Sequence, residues 1–205
     1  RTKNNEIAAS KLYQKGLRTY TAMIDPSVKG DGKAGEEGQA FATVGARAQA
    51  ALKIFNRIVS KYEGYAVARA AHFYRGRCFY DLKKFGDAIT AFKKVLSTKA
   101  GGGCGCGGGS SKGGSDALQA LALENLGYAQ AAKGRLDDAL TTFAKLRGLD
   151  KGTRLDWAYY HDALIREKKG DIKGAIASYE KFWKGAQDPK AKTTGPNWGL
   201  SPVKD

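Results

Sequence analysis

Tyr74-Arg-Gly-Arg-Cys-Phe-Tyr-Asp-Leu-Lys-Lys-Phe-Gly-Asp-Ala-Ile-Thr-Ala-Phe92 holds a small residue at Gly76, a second at Ala88, and an aromatic ring at Phe92. The intervals are twelve and sixteen residues from Gly76. The same intervals recur twice downstream, as Gly127, Ala139, Phe143 and as Ala163, Ala175, Tyr179. Packing of a helical hairpin explains them. A small residue on the first helix lets the second approach closely, a small residue faces it, and the ring one turn on fills the space toward the next hairpin. Short breakers separate the paired helices: Lys83 to Asp87, Lys133 to Asp137, and Lys169 to Lys173. Each brings Gly near Asp, which reads as a helix C-cap followed by an N-cap.

Working outward, Ala51, Phe55 and Ile58 repeat the spacing of Ala88, Phe92 and Val95 thirty-seven residues earlier. The segment Arg47 to Tyr62 reads as an amphipathic helix on Leu52, Phe55, Ile58, Val59 and Tyr62. A further helix is expected over about Asn5 to Met23, with Ile7, Leu12, Tyr13, Leu17 and Tyr20 as its apolar set. The step from Ala139 to Ala175 is 36 residues, but that from Ala88 to Ala139 is 51. The Gly/Ser-rich stretch Gly101 to Ser115 accounts for the excess, and loop closure grows slowly enough with length for an array to accept it. The expected organisation is therefore an N-terminal helix (1–24), a Gly-rich loop (25–39), a helical-repeat domain (40–186) with an insert at 101–115, and an extended tail (187–205). The fold class is all-α, a short right-handed solenoid of antiparallel hairpins.

Composition agrees. Four Pro in 205 residues, two of them in the last ten, leave the body free for helices. The formal charge of +15 steers the chain toward acidic partners: an acidic protein, an anionic membrane surface or, last, nucleic acid. Basic residues are dispersed, with runs no longer than pairs such as Lys93-Lys94, which is also how solvated helix faces look. No apolar run reaches the roughly 18 residues that a membrane span needs.

These residues resemble the tetratricopeptide repeat (TPR) family. The quoted stretch carries the resemblance, together with Leu126 to Phe143 and Gly170 to Phe182. It covers about 69–183, and more loosely 40–68. Two departures stand out: His72, Leu123 and Tyr159 replace the early Trp of the first helix, and no Pro closes a repeat. The resemblance implies a non-catalytic scaffold whose first helices line a concave, peptide-binding groove. The positions it assigns to the groove are Phe73, Arg77 and Tyr80, then Glu124, Tyr128 and Ala131, then Tyr160, Leu164 and Glu167, with Trp157 one turn before Tyr160. Repeat helices bury two faces, so the same rings are equally candidates for core. Arg77, Tyr128 and Leu164 stand where a carboxylate clamp would need Asn, which argues against one. A narrower resemblance, at Ile58 to Ala71, is to bacterial cell-envelope TPR-like proteins of the periplasmic chaperone-like and outer-membrane assembly lipoprotein kinds. It implies a periplasmic setting with a membrane anchor upstream of Arg1; the alternative is cytoplasmic.

Enzyme signatures are lacking: no Walker loop, GxSxG, HExxH or dinucleotide fingerprint occurs. No cofactor is expected. Cys104-Gly-Cys106 is the one metal-like spacing, but two thiolates leave a Zn or Cu(I) site short of ligands. An incidental pair in a linker is the competing reading. Cys78 reads as a small buried residue. The function that follows is a protein-interaction scaffold for partner or client polypeptides. The alternative is a basic adaptor for nucleic acid or anionic lipid.

Overall fold

The computed structural model describes residues 2–28, 39–98, 113–149 and 154–186. Cys104, Cys106, most of the Gly-rich insert and the tail lie outside them. The chain divides into two compact units, Arg1–Ala129 and Gln130–Asp205, taken separately below. The fold is all-α and TPR-like, apart from two strands of two residues each.

The first unit opens with α1 (Thr2–Tyr20), which starts and stops three residues earlier than the apolar pattern suggests. The chain then leaves the helix because Met23–Ile24 (β1) pairs in parallel with Ala40–Phe41 (β2), burying Phe41 completely. Helix α2 (Val44–Lys61) begins at Thr43, whose hydroxyl accepts the Ala46 N–H at 3.1 Å. Its buried set, Ala48, Ala51, Ile54, Phe55 and Ile58, recurs every three or four residues and so forms one face. That face meets α1 and α3 (Ala66–Asp81). Phe55 stacks on Tyr74 of α3 at 5.4 Å and meets Tyr13 of α1 edge-on at 6.2 Å. A Cβ on Gly16 would stand 2.7 Å from the Phe55 ring. So α1 and α2 form a fourth hairpin, with Gly16 as its small residue.

Helices α3 and α4 (Phe85–Ser97) form the hairpin of the quoted stretch. A Cβ on Gly76 would lie 2.4 Å from the Phe92 ring, which makes the close approach inferred from spacing a measured one. Phe92, Ala88 and Val95 are completely buried and share a core with Phe73, Ala122, Leu126 and Ala129, the last three on α5 (Gly113–Ala132). Helix α5 begins at Gly113, so the last three residues of the expected insert are helical.

The second unit holds α6 (Leu136–Leu149), α7 (Arg154–Lys168) and α8 (Ile172–Ala186). Its core carries Ala139, Phe143, Leu146, Ala158 and Ala163, all fully buried. Three apolar side chains of α8 remain exposed: Ile172, Ile176 and Trp183.

All three downstream hairpins turn with the same backbone. Lys84, Arg135 and Asp171 each donate an N–H five residues back, to Phe79, Gln130 and Arg166, at 2.8–2.9 Å. Seven residues past each small position the backbone is left-handed, at Lys83 (φ 58), Gly134 (φ 83) and Gly170 (φ 80). The cap assignments from Gly near Asp hold in full in the last hairpin, where Asp171 Oδ1 accepts the Gly174 N–H at 3.0 Å, and for the glycine alone in the second, at Gly134. In the first, Gly86 sits inside α4 and Lys83 takes the position expected of glycine. Asp87, Asp137 and Asp138 lie in first turns, where they favour the positive end of the helix dipole.

Candidate functional site: the first helices of the hairpins

In the first unit the candidates are Phe73, Arg77 and Tyr80 on α3, and Glu124 and Tyr128 on α5. Phe73 is core. It is 5% exposed and packs edge-on against Tyr74 at 5.3 Å and beside Phe92 at 5.9 Å. Its place in the groove is therefore corrected: the shift from Gly76 to Phe73 along the helix carries the ring toward α4. The other four are half-buried. Arg77 Nε donates to the Tyr20 hydroxyl at 3.2 Å, and its guanidinium lies 5.9 Å from that ring. Tyr20 in turn donates to Asp81, and burial pushes its phenol up to about 12. Arg47 also lies over the ring, at 5.4 Å, and donates to the Ala22 carbonyl at 3.3 Å. Arg77 is thus committed largely to joining α1 and α3. Tyr80 meets Phe85 edge-on at 5.4 Å across the hairpin turn. Tyr128 donates to Glu124 at 3.0 Å, one turn apart on α5. Cys78 is fully buried and its thiol is pushed up to about 12 by burial, which makes it an inert core residue.

In the second unit the candidates are Trp157, Tyr160 and Leu164, all on α7 and all half-buried. Trp157 stacks on His161 at 5.8 Å, and His161 stacks on Phe143 at 5.6 Å. Burial lowers the His161 imidazole to about 4, so the ring is neutral near pH 7. Tyr160 packs on Phe182 at 5.5 Å and Tyr179 at 6.1 Å. These rings tie α7 to α6 and α8 with one face and meet solvent with the other. The candidates differ in burial: Phe73 is core, Glu167 is exposed, and the remainder are half-buried.

A polar cluster escapes the sequence reading. Asp162, 2% exposed, accepts from Arg147 Nη1 at 3.0 Å, Arg166 Nε at 2.6 Å and Ser178 Oγ at 2.7 Å. Burial would raise its pKa, but the three donors outweigh that and hold it below the usual carboxylate range. The i, i+4 pair Asp162–Arg166 is readable on a helix. Arg147 on α6 and Ser178 on α8 are not, because only tertiary packing brings them there. The cluster pins α6, α7 and α8 together. Among the described residues no three His, Cys, Asp or Glu converge as metal ligands, and no helix is long and apolar enough to cross a membrane.

A family model described as tetratricopeptide repeat matches residues 37–103, which span β2, α2, α3 and α4. Over that segment the chain carries tetratricopeptide repeats. The matched segment includes the hairpin partner α2, where the spacing is most degenerate, and in the second unit Ala139, Phe143, Ala163 and Ala175 of the later repeats are buried as well. Among solved structures, this TPR chain is similar to one described as "MamA RS-1 ArsTM double mutant". The two share 17% identity with a TM-score of 0.53, over 71% of this chain and 74% of that one. At that identity the likeness concerns the fold. No curated protein matches the sequence.

Proposed function

We propose that this TPR chain is a non-catalytic scaffold that binds partner or client polypeptides along the solvent-facing sides of its first helices, in the bacterial cell envelope. The observation that carries the reading is the half-exposed row Arg77, Tyr80, Glu124 and Tyr128 on α3 and α5, continued in kind by Trp157, Tyr160 and Leu164 on α7. Rings held by their own helix contacts lose little freedom on binding, and aromatic anchors dominate most interfaces. Amphipathic helices and extended apolar peptides are the ligands such rows suit.

The test is selection of a peptide from a displayed library against the purified chain, followed by NMR mapping. Bound peptide should perturb Tyr80, Tyr128 and Tyr160, and Tyr128→Ala should weaken it about tenfold, the loss of one interface anchor. Perturbations confined to the opposite helices α2, α4 and α6 would sink the reading. The envelope setting rests on the resemblance at Ile58 to Ala71 alone. Fractionation of cells expressing the gene with its native upstream region tests it; recovery solely in the cytosol removes that part.

A further inference from the structure

The outward faces of α1 and α2 carry a charge that peptide binding leaves unused. Lys3, Lys11, Lys15 and Arg18 on α1, and Lys53, Arg57 and Lys61 on α2, are all exposed. Glu6 is the sole carboxylate on either helix. Among the described residues none of the seven cations forms an ion pair. Glu63, just beyond α2, is already engaged by Lys94 at 3.3 Å and His72 at 3.2 Å.

The helices run antiparallel, with Tyr20 against Arg47 and Tyr13 against Phe55. That register sets Lys15 level with Lys53, and Lys11 level with Arg57. Lys11, Lys15 and Arg18 form one helical stripe; Lys53, Arg57 and Lys61 form another. Like charges at matching heights on adjacent helices repel, and among the described residues no carboxylate pairs with them. A polyanion would.

Two features select which polyanion. The aromatic rings of α1 and α2 point inward: Tyr20 and Phe55 are buried, and Tyr13 packs on Phe55 and Tyr74. No stacking platform for bases is left on this face. Exposed apolar side chains lie among and beside the cations instead. Ile7 is 49% exposed, between Lys3 and Lys11 on the same stripe, while Met23 and Val44 are 71% and 43% exposed just past the end of α1 and at the start of α2. Cations interleaved with small apolar groups match the boundary between lipid headgroups and acyl chains. We propose that the α1–α2 face docks on an anionic lipid surface.

The full chain is tested by co-sedimentation with phosphatidylcholine vesicles, with and without about 30% phosphatidylglycerol. Binding should require the anionic lipid and fall at least about tenfold between roughly 50 and 200 mM salt. Lys11→Glu/Lys15→Glu/Lys53→Glu/Arg57→Glu should lose about tenfold or more, with an unchanged circular dichroism melt. The Gln versions of the same four substitutions serve if the Glu set alters the melt. A matched set on the second unit, Lys133→Glu/Lys145→Glu/Lys168→Glu/Lys184→Glu, should stay within about twofold, because it changes net charge without touching this face. Equal loss from both sets, indifference to phosphatidylglycerol, or displacement of the vesicles by an equal charge of duplex DNA would overturn the proposal.

Discussion

Gly76 shows at the scale of one residue how the spacing becomes structure. With 2.4 Å between a would-be Cβ and the Phe92 ring, any side chain must push a fully buried ring aside. Gly→Ala inside a helix ordinarily gains up to about 1 kcal/mol. Here overpacking reverses the sign, and Gly76→Ala should cost about 1–3 kcal/mol by urea unfolding. Adding Phe92→Leu should recover part of the loss, because the smaller side chain vacates the collision. Full stability in the single variant would show that the ring is free to move. Such positions are legible in sequence because the hairpin contact is set by residues sixteen apart. Gly16 is not legible in the same way, since Phe55 follows it by thirty-nine. Asp162 is illegible for another reason: two of its three donors come from other helices.

At the scale of the element, the three downstream turns share one hydrogen-bond pattern but not one residue. Gly134 and Gly170 adopt their left-handed backbone without steric penalty, whereas Lys83 carries a Cβ into the same region. Lys83 is exposed and its side chain makes no ion pair among the described residues, so nothing obvious is lost with it. Lys83→Gly should therefore stabilise the first unit by about 0.5–1 kcal/mol, read as a raised unfolding midpoint. Gly134→Lys should do the reverse by a similar amount. Turns of this kind mislead a sequence reading, because Gly86 lies within three residues of the required position and looks like the cap. The nearby Asp residues compound the error: a carboxylate one turn into a helix and one at its cap both stabilise the N-terminus, so composition alone does not tell them apart.

Across the molecule, buried imidazoles link stability to pH. His161 titrates at about 4 in the folded chain, below its unfolded value near 6.5. His72 is also lowered, first by burial, with Arg75 Nη1 donating to its Nδ1 at 3.1 Å. A folded-state value below the unfolded one means the unfolded chain binds protons first as the pH falls. Stability contributed by these neutral rings is full above about pH 6.5 and is lost progressively toward pH 4, with His161 alone accounting for up to about 3 kcal/mol. Asp162 acts in the same sense at still lower pH, since its depressed value favours the folded chain until it is protonated. Melting temperature should fall between pH 7 and pH 4.5, and His161→Phe, which keeps a ring between Phe143 and Trp157, should flatten that slope. An unchanged slope in the variant would assign the loss to other groups.

The contact of glycine with phenylalanine occurs twice in the first unit, at 16 with 55 and at 76 with 92, across sequence separations that differ by 23 residues. The ring-on-glycine contact fixes how closely two helices approach, whatever the length of chain that joins them. Inheritance in this chain would then be strict in depth and loose in length. Descendants can gain or shed residues between helices, at 25–39 and again around 101–112, at little cost, while a change at either glycine favours a compensating change in its ring.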